Sequence, residues 1–302
     1  MKKKLIYVEL PIHSSIENVW EFTQTPELHE QWDLRFSSIT YTEKEQETQT
    51  FLYKTNIGLG VSITGWGKSV SNVQEKDGSR ISSLHFGTAQ KISLIKEGKG
   101  YWKYEPISGT TRFLTQYDYE VRFGWFGLWF DKFLFRPAIG WATALSFDVL
   151  KRWIEKGLSP KVQYAQFFIY WLLSYTFSFI WIYQGLVPKL IAKHPEEIAM
   201  LRSVSPITFI NEALAIQMIG LLEITFGGLW LVFRRKKILL ILQCFLLPVL
   251  LLLAIWASPS VLIHPFSPVS LTIVLLILSG IAFIVGNDVP TAKSCIRSRK
   301  DR

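Results

Sequence analysis

Four stretches of this chain, about 165–187, 207–233, 238–257 and 268–286, are long and nearly free of charge. Each approaches or exceeds the ~20 residues that a helix needs to cross the hydrocarbon core of a bilayer. Nothing else in the sequence limits the fold so strongly, because a segment in hydrocarbon must satisfy its own backbone polar groups, and a helix does so. The short link RRKK, residues 234–237, makes the second and third runs an antiparallel pair. The first 160 residues mix charged and apolar side chains throughout. The chain is therefore expected to divide into a soluble part, 1–158, and a membrane part, 159–302.

The charge is divided just as unevenly. Of 33 Lys/Arg and 24 Asp/Glu, residues 1–160 hold 20 and 18, which leaves 13 and 6, or +7 of the +9 net charge, for the remainder. These cations cluster in RRKK and in the tail KSCIRSRKDR, each abutting an apolar run. That placement is a topology signal rather than a nucleic-acid footprint, so no nucleic-acid partner is expected. With both termini cytoplasmic, the inner flanks hold Lys151, Arg152, Lys156 and Lys161, then RRKK, then the tail. The outer loops hold only Lys189, Lys193 and Arg202, beside Glu196 and Glu197. The expectation is a multi-pass protein of the cell membrane whose soluble part faces the cytoplasm, with the lipid bilayer as partner. The apolar part of MKKKLIYVEL is too short for a signal peptide. The two cysteines, Cys244 and Cys295, form neither a disulfide framework nor a metal pattern.

The second apolar run carries two acids, Glu212 and Glu223. Eleven residues apart on a helix, they share a face about 16 Å apart along the axis. Gly220 and Gly227 lie near that face, and small residues mark close helix contacts in membranes. The acids are thus expected to point into the bundle. Ser205 and Pro206 offer a helix start, with Glu212 about two turns from that outer end. Tyr183, Gln184 and Lys189 are candidate partners for Glu212. Ser174, Tyr175 and Ser178 lie nearer in depth to Glu223. A buried carboxyl must be protonated, paired or hydrated. Three roles stay open for Glu223: a neutral interhelical hydrogen-bond donor, a site for proton handling or a polar quinone-like head group, or a side chain snorkelling from lipid.

IYQGLVPKL at the end of the first run and GLLEITFGGLWLV in the second resemble the DoxX-like family of small four-helix membrane proteins, over about 165–287. The resemblance implies that Gly185, Lys189, Gly220 and Glu223 occupy the family's motif positions. Its members include a quinone-linked thiosulfate-oxidising subunit, although most have no assigned reaction.

In the soluble part, Ser14-x-x-Glu17 reads as a capping box before the apolar Val19, Trp20 and Phe22. TPELHEQW reads as a second short helix with Pro26 at its first position. Residues 5–10 precede this pair as a strand. From about 38 to 122 the pattern is a series of strands punctuated by Gly, Asp and Pro. In the last, Phe113, Thr115, Tyr117, Tyr119 and Val121 share one side and charged residues the other, which describes an antiparallel sheet with one wet face. Residues 131–157 read as a long helix, broken near Arg136 and Pro137, with Leu134, Ala138, Trp141, Leu145 and Val149 as its apolar stripe.

With SSIENVWEFTQTPELHEQWD, GYWKYEPISGTTRFLTQYDYEV and RPAIGWATALSFDVLKRWIEKG, residues 1–158 resemble the SRPBCC superfamily, the START-like or helix-grip fold. The expected fold class is α+β, an antiparallel sheet wrapped on a long C-terminal helix, followed by an all-α four-helix transmembrane bundle. The resemblance implies an apolar cavity between sheet and helix for a lipid or another hydrophobic small molecule. Trp32, Tyr53, Phe113, Tyr117, Tyr119 and Trp141 are the candidate lining residues; they could equally fill a solid core. No catalytic set is visible, the five histidines have no metal-ligand spacing, and no cofactor is evident. FGWFGLWFDKF, residues 123–133, crowds six aromatic rings into a short stretch, as a lid over the cavity or as a segment resting among lipid headgroups.

Three functions fit these residues. One is a membrane-tethered module that binds or transfers a lipid, isoprenoid or quinone-like molecule at the cytoplasmic leaflet. The others are a component of a quinone-linked membrane oxidoreductase, or a non-catalytic structural or stress-related membrane protein with an unidentified protein partner.

Overall fold

The computed structural model describes residues 5–45, 48–58, 60–74, 77–204, 211–233 and 236–299. Two compact units form, one from Met1–Tyr164 together with Pro290–Arg302 and the other from Ala165–Val289. The C-terminal segment thus joins the first unit, although its basic character assigns it to the membrane part on sequence grounds.

The first unit opens with β1 (Ile6–Ile12), α1 (Ile16–Gln24) and α2 (Pro26–Trp32). Six strands follow: β2 (Ser38–Glu45), β3 (Thr48–Gly58), β4 (Val61–Gln74), β5 (Arg80–Gly87), β6 (Ile95–Ile107) and β7 (Thr110–Val121). They pair in the order β1-β7-β6-β5-β4-β3-β2, and every pairing is antiparallel. α3 (Gly124–Phe130), a π-helical turn (Asp131–Phe135) and α4 (Arg136–Lys156) complete the unit. A curved sheet with a long C-terminal helix across it is the helix-grip arrangement.

Local chemistry accounts for most of these boundaries. The side chain of Ser15, rather than Ser14, caps α1 by accepting from the Asn18 N–H at 3.3 Å. Pro26 opens α2, where its missing N–H costs nothing. Gly157, in the left-handed region at φ 69°, ends α4. The expected break near Pro137 is instead the π-helical turn, and the proline sits harmlessly in the first turn of α4.

The sheet's inner face holds Val8, Leu10, Ile12 and Phe113, all fully buried, with Phe147 of α4 stacked on Phe113. α4 is buried on nearly every side from Thr143 to Leu150. The C-terminal segment explains this, since it covers the helix face turned away from the sheet. Asp148 accepts from the backbone N–H groups of Thr291 (2.8 Å) and Ala292 (3.2 Å) and from the Ser294 hydroxyl (2.7 Å). The Cys295 thiol donates to the Ala144 carbonyl. Ile296 and Glu9 exchange backbone hydrogen bonds, which occupies polar groups of the edge strand β1.

The second unit contains α5 (Pro160–Gln184), which continues through a π-helical stretch (Gly185–Ile191), then α6 (Pro195–Val204), α7 (Glu212–Val232), α8 (Lys236–Ala257) and α9 (Pro268–Val285). Four helical segments, Pro160–Ile191, Glu212–Val232, Lys236–Ala257 and Pro268–Asp288, are long and apolar enough to span a membrane. Large apolar side chains such as Leu172, Phe179, Leu222, Phe245, Leu252 and Ile284 point outward, as lipid-facing positions do. Inside, Phe177, Trp181, Trp230, Leu240, Leu247 and Leu275 form the core.

Ser205, Pro206, Arg234 and Arg235 lie outside the described residues. The α7 cap is Asn211, whose side chain accepts from the Ala213 N–H at 2.9 Å. Of the RRKK link, Lys236 turns into the bundle, donating to Ser174 at 2.9 Å with its ammonium 3.7 Å from the Trp171 ring centre.

Candidate functional site

The interior of the first unit has two unlike ends. At one end the rings of Trp32, Trp102, Tyr104, Phe113 and Phe147 lie on one another, with Phe113 and Phe147 stacked at 4.4 Å and Tyr104 and Phe113 at 5.0 Å. Trp32 and Phe113 are therefore core residues, fully enclosed. Their neighbour Tyr104 shares its hydroxyl with Thr23 (2.7 Å) and Gln24 (2.9 Å).

The other end is less filled. Strand register directs Tyr53, Leu84 and Phe86 to the same face as Tyr117, since Tyr53 lies opposite Gly65, Phe86 opposite Gly98, and both Leu84 and Tyr117 opposite Gly100. Yet Tyr53, Leu84 and Phe86, with Phe36 beside Tyr53 at 5.5 Å, remain only half-buried. These inward-facing apolar residues keep contact with solvent, so the concave face is incompletely covered here, and this open part of the face is its hollow end. Burial pushes the Tyr53 phenol up to about 12. Tyr117 closes one side through a hydrogen bond between its hydroxyl and that of Thr143 on α4, at 2.9 Å.

A charged pair lies against this hollow. The Arg35 guanidinium sits 5.6 Å from the ring centres of both Phe36 and Tyr117. It grips Asp33 with two hydrogen bonds, Nε to Oδ1 at 2.8 Å and Nη2 to Oδ2 at 2.6 Å, and His29 Nε2 lies 3.1 Å from Oδ2. Burial alone pushes the Asp33 carboxyl up. The Arg35 charge and the hydrogen bonds from Arg35 and His29 outweigh it and hold the carboxyl well below the usual carboxylate range. The guanidinium thus lies near two aromatic rings while its charge is balanced by Asp33.

The sequence-derived lining residues thus separate. Tyr53 and Tyr117 border the hollow. Trp32 and Phe113 belong to the packed end. Tyr119 is buried and donates to Asp131 at 2.6 Å, within a cluster completed by Arg136 and Asp118. Trp141 is 37% exposed on the outer side of α4, together with Leu134 and Ala138 of the expected stripe. Leu145 and Val149 of that stripe are fully buried, as expected, and Ile139, Thr143, Phe147 and Leu150 turn toward the core on the neighbouring face of the helix. Arg35, Asp33 and Phe36 were not anticipated, because the WDLRF segment that holds them has no pattern separating it from an ordinary exposed turn. A cleft of about 570 Å³ between α2 and β2, lined by Pro26, Glu27, Glu30, Ser38, Ile39, Thr40 and Tyr41, contains none of the candidate residues.

In the membrane unit, four of the five candidate residues meet. A Cβ built on Gly185 would lie 2.3 Å from the Gly220 carbonyl, and one built on Gly220 would lie 2.7 Å from the Gly185 carbonyl. Only glycines allow the two backbones so close. One turn beyond Gly185, Lys189 reaches Glu223 at 3.0 Å and Glu197 at 3.4 Å. Both motifs therefore have one steric and one electrostatic component: glycine permits the approach, and the charges three or four residues later pair across it.

Glu212 stands apart. It is the first residue of α7, not two turns inside it, and Arg202 holds it with bonds of 2.7 and 2.5 Å. Lys189 thus serves Glu223 instead of Glu212, and the expected Ser174 bonds Lys236 instead of Glu223. A separate buried chain ties three helices, from Trp181 to Gln243 at 2.8 Å and from Gln243 to Ser279 at 2.7 Å.

Several known proteins are similar to parts of this chain. Residues 178–280 match the DoxX-like family. The chain is 46% identical over 187 residues to the uncharacterized membrane protein YndG of Bacillus subtilis, a match covering 61% of this chain and 70% of that protein. Among solved structures, a Thermus thermophilus protein aligns with 49% of this chain and 95% of its own, at 14% identity and a TM-score of 0.40. The Zhui aromatase/cyclase of a Streptomyces species aligns over 52% and 98%, at 9% identity and 0.38. A STAR-related lipid transfer protein of Xanthomonas axonopodis aligns over 40% and 73%, at 12% identity and 0.33.

Proposed function

Because the chain belongs to the family of the Bacillus subtilis membrane protein YndG and has a DoxX-like membrane unit, we propose that its soluble unit binds an amphipathic small molecule drawn from the bilayer. The apolar body of the ligand rests on Phe36, Tyr53, Leu84 and Phe86. Its polar end, a carboxylate, phosphate or carbonyl oxygen, meets the edge of Arg35 beside Tyr117. The observation that carries this reading is a largely buried guanidinium, fixed by Asp33 and set between two aromatic rings, on a concave face whose apolar residues are not fully covered. A charge is kept in such surroundings only with strong compensation, and Asp33 and the rings supply it. The excess of Lys and Arg on the flanks of the spans favours the cytoplasmic leaflet of the cell membrane as the place of binding.

The test is native mass spectrometry of the full chain extracted from membranes into mild detergent. The expected result is a bound small molecule, released when Leu84→Trp fills the hollow and weakened by Arg35→Met. Absence of any bound mass from the wild type, or equal retention in Leu84→Trp, would refute the assignment.

A further inference from the structure

The segment between β7 and α4 is built to hold aromatic rings outward. Phe123, Trp125, Phe126, Trp129, Phe133 and Leu134 are exposed by 55, 81, 56, 55, 61 and 58%. They do not fold over the hollow as a lid. The rings touch in series, with Phe126 to Trp129 at 6.4 Å and Trp129 to Phe133 at 5.8 Å, so they form one ridge.

The base of the ridge is firm. Gly127 packs so closely on the Arg122 carbonyl that a Cβ would lie 1.8 Å from it. The Arg122 guanidinium donates to the carbonyls of Thr88, Gln90, Ser93 and Ile95, fixing the neighbouring loop. Phe123 takes the left-handed conformation at φ 70°, which a bulky side chain adopts only when its surroundings demand it. Charge is sorted as well. The one acid of the segment, Asp131, is turned inward onto Tyr119 and Arg136, while of its two bases Arg122 is spent on backbone carbonyls and Lys132 stays outside over the Phe133 ring.

We infer that this ridge inserts into the headgroup layer of an anionic lipid bilayer. Trp and Phe with an adjacent cation and no outward acid within the segment match the chemistry of that layer, and the exposed Glu120 before it is paired with Lys96 at 3.2 Å. The occupant is at hand, because the unit that carries the ridge is joined to a membrane-spanning unit at two places. Only residues 157–159 separate α4 from α5, a reach of ~11 Å at most. The segment after α9 returns to bind α4 through Asp148. An apolar ridge of this size would be an aggregation liability on a free domain, whereas on a unit confined to the bilayer it has a surface to cover it. The inference does not require the hollow to hold a ligand.

The test uses the full chain in vesicles of phosphatidylcholine and phosphatidylglycerol, with and without brominated acyl chains. Emission is compared between the wild type and the double substitution Trp125→Phe with Trp129→Phe, which keeps the apolar surface. The difference spectrum reports the two exposed tryptophans. Insertion predicts a blue-shifted difference component that loses most of its intensity to brominated lipid and little to aqueous acrylamide. Quenching by acrylamide alone places the rings in water and overturns the inference. Resistance to both quenchers places them against protein, in a second copy or another segment of this chain, and overturns it equally.

Discussion

Substituting alanine for single glycines separates close helix packing from helix propensity. In Gly185→Ala the new methyl would meet the Gly220 carbonyl at 2.3 Å, Ile224 Cγ1 at 2.9 Å and Glu223 Cβ at 3.1 Å. The first of these is backbone and cannot swing away. Ordinary contact begins near 3.4 Å, so the two helices must part by about 1 Å, which forfeits a quarter to a half of the attraction between facing atoms along the seam. Overpacking of this kind costs about 1–3 kcal/mol, and the separation also stretches the Lys189–Glu223 pair one turn away. Gly228 provides the control in α7, since a Cβ there meets nothing within 4 Å. There the loss of glycine's backbone freedom dominates, and alanine should stabilise by about 0.5–1 kcal/mol. The two substitutions should therefore have opposite signs. Thermal or denaturant unfolding of the full chain in one detergent, followed by fluorescence, measures both. The packing argument fails if Gly185→Ala and Gly228→Ala shift stability in the same direction.

Three further outcomes follow from the charged groups. Lys189→Met leaves Glu223 without its ion-pair partner at low exposure and should cost about 3–5 kcal/mol; adding Glu223→Gln should restore much of this, and a double-mutant cycle showing simple additivity would contradict the pairing. Asp33 contributes stability that is complete above the ordinary aspartate value near ~4 and is lost as pH falls through its depressed native value. Acid unfolding of the wild type, read by near-ultraviolet circular dichroism, should thus have a component below that value that Asp33→Asn lacks at lower overall stability, and superimposable acid profiles would count against it. Asp148→Ala removes the acceptor of three hydrogen bonds, about 1–3 kcal/mol for each polar group left unsatisfied. Amide exchange in residues 290–299 should accelerate while that of α7 and α8 stays unchanged, and uniform protection would show that the segment is held by other means.

Much of this molecule was legible along the chain. Hydropathy over a window of about twenty residues located the four spans, because transfer into hydrocarbon is a sum over local side chains. Alternation along Thr110–Val121 located the inner face of β7, because the strand's period is fixed by backbone geometry. The resemblance to the DoxX-like family, carried by IYQGLVPKL and GLLEITFGGLWLV, implied Gly185, Lys189, Gly220 and Glu223, the residues that meet in the membrane unit. The pairing of Lys189 with Glu223 was not legible, since it depends on where Asn211 starts α7 and hence on the depth of each acid.

The interior site was the least legible part. Arg35 and Asp33 look like an exposed turn until α2, β7 and α4 enclose them, and Trp141 looks like part of the core until α4 is set by its contacts with β1 and the sheet. Asp148 is one acid among many until the last residues of the chain return to its carboxylate. Local sequence determined what each segment must be, spanning helix, half-wet strand or capped turn, because those preferences are short-range. Tertiary structure alone decided which charges are buried and what neutralises them, because that depends on groups far apart in the chain whose proximity no local pattern encodes.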